Sequence, residues 1–153
     1  MKIVLNKCYG GFGLSPLALK NIAKRKGKEL YFLKIDGYGE NSKYTPLTLE
    51  EAKDNFITHH YTVPNPQDYD LHKRDDSGTF KDANKRAEKI SLPYFRNEEH
   101  RTDEDLIKVV EELGEKANGD HARLRIVDIP DDLDYEIDDY DGIETLRETH
   151  RTW

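Results

Sequence analysis

The segment from Asn6 to Ser15 carries residue types suited to binding an anion. Its glycines let backbone N–H groups approach a ligand, and a helix that begins at Ser15-Pro16 adds the positive end of its dipole. Phosphate fits such a turn, with Lys7 supplying a charge and Ser15 a hydroxyl. The spacing matches neither a Walker A motif nor the Gly-x-Gly-x-x-Gly fingerprint. A phosphate-binding turn and a tight strand-to-helix turn with positive φ angles both stay open. The segment reads Asn6-Lys7-Cys8-Tyr9-Gly10-Gly11-Phe12-Gly13-Leu14-Ser15.

Cys8 and the histidines are the other residues with catalytic or metal-binding chemistry. Cys8 is the only cysteine, and a nearby helix N-terminus can activate a thiol, although a small buried cysteine at a strand end is the more common situation. His59, His60 and His72 could ligate a metal. Adjacent histidines on a strand point to opposite faces, however, and no His-x-x-x-His spacing is present. We therefore predict no catalytic residue and no metal site.

A run of carboxylates occupies the last third of the chain. It lacks the EF-hand spacing, with its glycine at the sixth position and its glutamate at the twelfth. A solvated edge is the preferred interpretation, and a cation site and a phosphate-mimicking surface are the alternatives. The run consists of Asp128, Asp131, Asp132, Asp134, Glu136, Asp138, Asp139 and Asp141.

The C-terminal sequence His150-Arg151-Thr152-Trp153 places an imidazole, a guanidinium and an indole close together. Trp153 could stack on a nucleobase while Arg151 binds a phosphate. The alternative is that Trp153 anchors the C-terminus in the core or in a dimer partner.

The order of the predicted helices and strands indicates the fold that would position these residues. We predict an α/β fold, with one domain over residues 1–153 and a mixed β-sheet. Residues 2–6 form a short aliphatic run, Ser15-Pro16 is typical of a helix start, and Gly27 is a plausible helix stop. With a second strand over 29–35, this order predicts an N-terminal βαβ unit with a right-handed crossover.

After the second strand, clear helices and strands are predicted only before residue 57 and after residue 100. Thr48 and Glu51 form a capping box at the start of a short helix. Residues 57–100 have weak periodicity and are predicted to be a long irregular insertion or a lid. The later predicted elements are a helix from Asp103 to Ala117 with Thr102 as N-cap, strands over 122–129 and 135–137, a turn at Asp141-Gly142, and a last helix from Ile143 to Thr149.

Charge and composition narrow the classes of partner and the compartment. Residues 1–97 hold 17 Lys and Arg against 12 Asp and Glu, while residues 98–148 hold 6 against 19. Duplex nucleic acid is therefore not expected as a partner, because phosphate binding needs concentrated positive charge. A single cysteine excludes an intrachain disulfide, and no apolar run is long enough to span a membrane. These features predict a cytoplasmic protein with no membrane partner.

The segment Asn6–Ser15 and the C-terminal third together resemble a family of small proteins encoded by bacteriophages and prophages. The C-terminal part of the resemblance runs through Leu106–Gly114, Ile129–Asp132, Tyr140-Asp141-Gly142 and His150–Trp153. The resemblance implies a phage context, with the cytoplasm of the infected host cell as its setting. It implies no mechanism, and by analogy it favours proteins that bind host factors or sequester nucleotide signals.

We expect a host-defence antagonist that sequesters a phosphate-bearing nucleotide or nucleotide-derived signal, without a cofactor. An acidic inhibitor of a host enzyme and an enzyme that turns over a nucleotide are the alternatives. The partners are then a nucleotide-like small molecule and, under the second hypothesis, a host protein; a homo-oligomer stays open. The expected ligand-binding residues are Asn6, Lys7, Cys8, Tyr9, Gly10, Gly11, Phe12, Gly13, Ser15, Arg101, Arg151 and Trp153.

Overall fold

A computed structural model describes residues 1–55 and 58–149 of the chain. Within these residues it contains four α-helices and seven β-strands. The helices are α1 (Pro16–Arg25), α2 (Leu49–Asp54), α3 (Lys81–Lys89) and α4 (Glu104–Leu113). The strands are β1 (Lys2–Asn6), β2 (Tyr31–Asp36), β3 (Lys43–Leu47), β4 (His59–Tyr61), β5 (Leu124–Asp128), β6 (Tyr135–Tyr140) and β7 (Ile143–Glu148).

The α/β class and the order β1-α1-β2 are confirmed, while the mixed sheet is not. In the described part of the chain the strands form three small sheets, ordered β1-β5, β3-β2-β4 and β6-β7, and every pair is antiparallel. Strands β1 and β2 belong to different sheets, so the expected parallel crossover between them is absent from these residues. The reason is that each finds an antiparallel partner of its own, and such pairing is slightly more stable per residue.

The chain divides into two compact units, which we call the first unit (residues 1–22 and the chain from 94 onward) and the second unit (residues 23–93). The predicted insertion at 57–100 falls mostly in the second unit, where β4 and α3 are its regular elements. The single domain over 1–153 and the role of 57–100 as insertion or lid stay predictions.

The core of the first unit forms between the β1-β5 ladder and helix α4. Ile3 pairs with Val127 in this ladder, and the middle residues of β1 are fully buried. Helix α4 contributes an apolar stripe of Leu106, Val109 and Val110 and packs against both strands. The side chain of Asp103 caps the helix by accepting a hydrogen bond from the Leu106 N–H, so the cap lies one residue after the predicted Thr102.

The second unit is organised around β2, which lies between β3 and β4. Phe32 and Leu33 of β2 are buried, and α2 packs against β2 and β3. The capping box of α2 is confirmed, since Thr48 and Glu51 exchange both of its hydrogen bonds. The helix stop at Gly27 is also confirmed, because its φ is +73° and the Lys28 N–H reaches back to the carbonyl of Ala23.

The last predicted helix, from Ile143 to Thr149, is wrong: residues 143–148 form strand β7, paired with β6 in a hairpin. Asp141 and Gly142 at its turn have φ angles of 51° and 91°. An Asp-Gly pair with two positive φ angles connects antiparallel strands with the right twist, and this local geometry overrides the helical interpretation of the residues that follow.

No helix within residues 1–55 and 58–149 is long and apolar enough to cross a membrane.

Candidate functional site

Asn6, at the end of β1, connects the glycine-rich segment to the β6-β7 hairpin. Its side-chain amide donates to the carbonyls of Cys8 and Gly142 at 2.7 and 2.6 Å. Its side-chain oxygen accepts from the backbone N–H of Arg123, and its own N–H donates to the Glu144 carboxylate. Asn6 is fully buried, and all four of these partners belong to the first unit.

The glycine-rich turn packs its backbone directly against the hairpin turn. Gly10 and Gly11 have φ angles of +112° and +94°, and the Gly10 N–H points to the Asp141 carbonyl at 3.4 Å. A Cβ at Gly142 would overlap the backbone nitrogen of Gly11 and lie 2.7 Å from that of Gly10. Of the two open interpretations, this packing favours the tight turn with positive φ angles.

Arg101 is the largest of the fully buried side chains, and it lies beside the contact between the glycine-rich turn and the β6-β7 hairpin. Its guanidinium forms two bonds of 2.6 Å to the Glu144 carboxylate and stacks on the Phe12 ring at 3.8 Å. It also donates to the backbone carbonyls of Phe95, Val4 and Arg96. All five N–H groups are therefore used, and the fork geometry explains why an arginine stands here.

Several predicted ligand-binding residues have structural partners instead. All five N–H groups of Arg101 donate to protein acceptors, and its role in ligand binding stays a prediction. The Lys7 ammonium donates to the Glu144 carbonyl at 2.7 Å. Ser15 caps α1 as predicted, accepting from the Ala18 N–H, and its hydroxyl donates to the Lys116 carbonyl. Among the other predicted residues, Phe12 is buried under Arg101, and the Cys8 thiol is partly exposed and free.

Arg96 and His121 lie against the glycines and are not among the predicted ligand-binding residues. The Arg96 guanidinium is 2.6 Å from the position that a Cβ at Gly11 would take, so glycine makes room for it. His121, with φ of +62°, lies against Gly10 in the same way. Both side chains are exposed, and within the described residues the Arg96 side chain has neither a hydrogen bond nor an ion pair. No local pattern marks them, because both are brought to the turn by contacts between distant segments.

Two exposed tyrosines flank the point where the turns meet. Tyr9 precedes Gly10 and is 60% exposed, and Tyr140 precedes Asp141 and is 79% exposed. Such exposure of two large aromatic rings next to one backbone contact leaves their faces available for stacking. Tyr9 was among the predicted residues and Tyr140 was not. Arg151 and Trp153 lie outside the described residues.

The acidic run is mostly a solvated surface with local pairing. On the hairpin, Arg147 contacts the carboxylates of Glu136 and Asp138, and Asp139 accepts from the Gly142 N–H. Glu144, which belongs to this strand pair, is the buried exception. Its inward direction follows from strand alternation with Leu146, a signal that the helical interpretation of 143–149 concealed.

Two of the three histidines of the second unit, His59 and His60, belong to the edge strand β4. His60 packs edge-on against Phe32 with a buried, unbonded Nδ1, and burial lowers its pKa. Burial also lowers the pKa of His59, and the nearby His72 lowers it further. His72 in turn hydrogen-bonds the Tyr44 hydroxyl at 2.8 Å. Across the described residues, no group of three His, Cys, Asp or Glu side chains could hold a metal ion.

Comparisons with protein-family models, with curated proteins and with solved structures found no match to this chain. The resemblance to a phage-encoded family therefore stays a prediction.

Proposed function

We propose that this protein binds and sequesters a phosphate-bearing ligand, of nucleotide type, on the exposed surface around Gly10 and Gly11. The observation that carries the proposal is the Arg96 guanidinium, which is exposed and unpaired within the described residues and lies against Gly11. A guanidinium presents its donors in a fork that matches phosphate oxygens, so this geometry suits a phosphate better than a point charge would.

The rest of the surface supplies contacts that a nucleotide would need. His121 lies beside Gly10 and can donate a second hydrogen bond, while Tyr9 and Tyr140 can stack on a base. The proposed set therefore differs from the predicted one, since Asn6 and Arg101 hold the turn in place rather than contact the ligand.

Titration calorimetry against mononucleotides, cyclic nucleotides and ADP-ribose-type nucleotides tests the proposal. The variant Arg96→Gln loses one charge-assisted hydrogen bond, which contributes about 1.5–3 kcal/mol. Its affinity for the nucleotide should therefore be roughly tenfold to a hundredfold lower. Lys53→Gln, which removes the same charge from exposed α2, should bind as the unchanged protein does. No heat with any nucleotide, or equal weakening by both variants, would contradict the proposal.

Sequestration also predicts the fate of the ligand. Mass spectrometry of a bound nucleotide after incubation and release should recover it intact. A changed mass would favour the alternative, an enzyme that turns over a nucleotide.

The second candidate function is inhibition of a basic host protein by the acidic surface of residues 128–148. The observation that favours it is that the single basic residue of the hairpin, Arg147, already contacts two carboxylates, so Asp139 and Asp141 keep an uncompensated negative charge. Replacing Asp131, Asp132, Asp138 and Asp139 by Asn should then abolish capture of the partner in a pull-down from host lysate. Unchanged capture would count against this candidate.

A further inference from the structure

Helix α3 of the second unit carries a stripe of three lysines along its solvent side. Lys81, Lys85 and Lys89 follow each other at intervals of four residues, which places them on one helix face at steps of about 6 Å. All three are exposed, and none forms a hydrogen bond or ion pair through its ammonium group within the described residues. Asp82 and Glu88 flank the stripe without pairing to it.

The stability of the helix does not explain this arrangement. Like charges at i and i+4 repel one another, and Lys81 is the first residue of α3, where a cation opposes the helix dipole. The dipole favours Lys89 in the last turn, as it favours the basic residues at the end of α1, so the unfavourable contributions are the position of Lys81 and the repulsion between neighbouring lysines. We therefore expect the charges of the three lysines to be neutralised by an anionic partner that binds this face of α3.

An aromatic side chain stands next to the stripe. Phe80, the residue before α3, is 40% exposed, and the Arg74 guanidinium lies over its ring at 4.7 Å. Arg74 is held there because its guanidinium also donates to the Gly78 carbonyl at 2.9 Å. The loop between them is closed by Asp75, whose carboxylate accepts four hydrogen bonds from Ser77 and Thr79, so this carboxylate is turned to its own loop.

We propose that α3 and the Arg74–Phe80 stack form a binding surface for single-stranded nucleic acid. Regularly spaced cations can follow a sugar–phosphate backbone, and an exposed aromatic ring beside them can stack on an unpaired base. A duplex keeps its bases stacked on one another and offers no base face to Phe80, which favours the single strand. An acidic protein or an anionic lipid surface would also bind the lysines, but neither offers an unpaired base on which the Phe80 ring could stack. The proposal does not depend on the site around Gly10 and Gly11.

Fluorescence anisotropy with labelled oligo(dT) and oligo(U) of about 16 nucleotides, from roughly 50 to 200 mM salt, tests it. The triple variant Lys81→Gln/Lys85→Gln/Lys89→Gln should weaken binding by about tenfold to a hundredfold and reduce the slope of log K against log salt by about 2. Glutamine keeps the helix propensity, and circular dichroism checks the fold. Comparison of the two oligonucleotides distinguishes DNA from RNA as the source of the strand.

Phe80→Leu should weaken binding by about five- to a hundredfold while leaving the salt slope unchanged, because stacking releases no counterions. The matched control is Lys20→Gln/Lys24→Gln/Lys28→Gln, which removes two exposed lysines of α1 and one just after it and should change binding little. Failure of the unchanged protein to bind either oligonucleotide would overturn the proposal. Equal weakening by both triple variants, or full binding by Phe80→Leu, would overturn it as well.

Discussion

Replacing Arg101 by Met should be among the most damaging single substitutions in the first unit. The guanidinium is 2% exposed, and its removal leaves the Glu144 carboxylate buried without its counterion. Three backbone carbonyls, those of Val4, Phe95 and Arg96, lose a donor at the same time. Breaking a buried ion pair from one side costs about 3–5 kcal/mol, because the remaining charge stays desolvated.

The total stability of a domain is about 5–15 kcal/mol, so this loss is a large part of it. At roughly 4 °C per kcal/mol, Arg101→Met should lower the melting temperature by about 12–20 °C. Urea unfolding followed by circular dichroism gives the free energy directly. The matched control is Arg147→Met, whose ion pairs are exposed and should contribute no more than about 1 kcal/mol.

A double-mutant cycle separates the ion pair from the lost carbonyl bonds. In Arg101→Met/Glu144→Leu no charge is left buried, so the double variant should be more stable than the sum of the single effects by about 1.5–3 kcal/mol. Recovery stays incomplete, since the Asn6 N–H loses its acceptor. Additivity of the two single variants within about 0.5 kcal/mol would refute the account of Arg101 as half of a coupled pair.

Three further outcomes follow from contacts described above, and a fourth rests on the sequence alone, because residues 151–153 lie outside the described residues. Gly142→Ala should destabilise the protein by at least about 1–3 kcal/mol in urea unfolding, because the new methyl group meets backbone and φ is +91°. The lowered pKa of His60 means that the folded state binds fewer protons, so stability is lost as pH falls below about 6.5; the urea midpoint should drop between about pH 7.5 and 5.5, and drop less in His60→Phe. Hydrogen bonds from Ser77 and Thr79 lower the pKa of Asp75 to about 2, so the amide protons of its loop should stay protected at pH 4 and exchange faster toward pH 2, which solution NMR measures. Deleting residues 151–153 should abolish nucleotide binding in calorimetry with an unchanged melting temperature; a large fall in that temperature would make the tail a structural anchor.

Local signals in the sequence were sufficient for several elements. Three helix ends are marked by bonds between residues only three to five positions apart, so residue type alone predicts them. They are the start at Ser15-Pro16, the capping box of Thr48 and Glu51, and the stop at Gly27. Asp141-Gly142 likewise predicts the turn that is observed, whereas the helix predicted for Ile143–Thr149 is wrong because the residues after the turn pair back as strand β7.

The candidate site could not be predicted in this way. Arg101 and Glu144 are 43 residues apart, and Asn6 and Glu144 are 138 residues apart. Nothing in the neighbouring sequence tells a buried arginine with five acceptors from an exposed one that binds phosphate. The glycine-rich segment is distinctive in the sequence, yet a turn packed on a hairpin and a turn around an anion require the same glycines.

The division of the chain also has a consequence for synthesis on the ribosome. The second unit is one continuous stretch, residues 23–93, and can fold as soon as it has emerged. Strand β1 is made first, but its partner β5 and the Glu144 carboxylate are made more than a hundred residues later. The apolar residues of β1 therefore remain exposed to solvent during synthesis until β5 has been translated. Vectorial folding should complete the second unit first, with β1 a target for chaperones until β5 and Glu144 have been made.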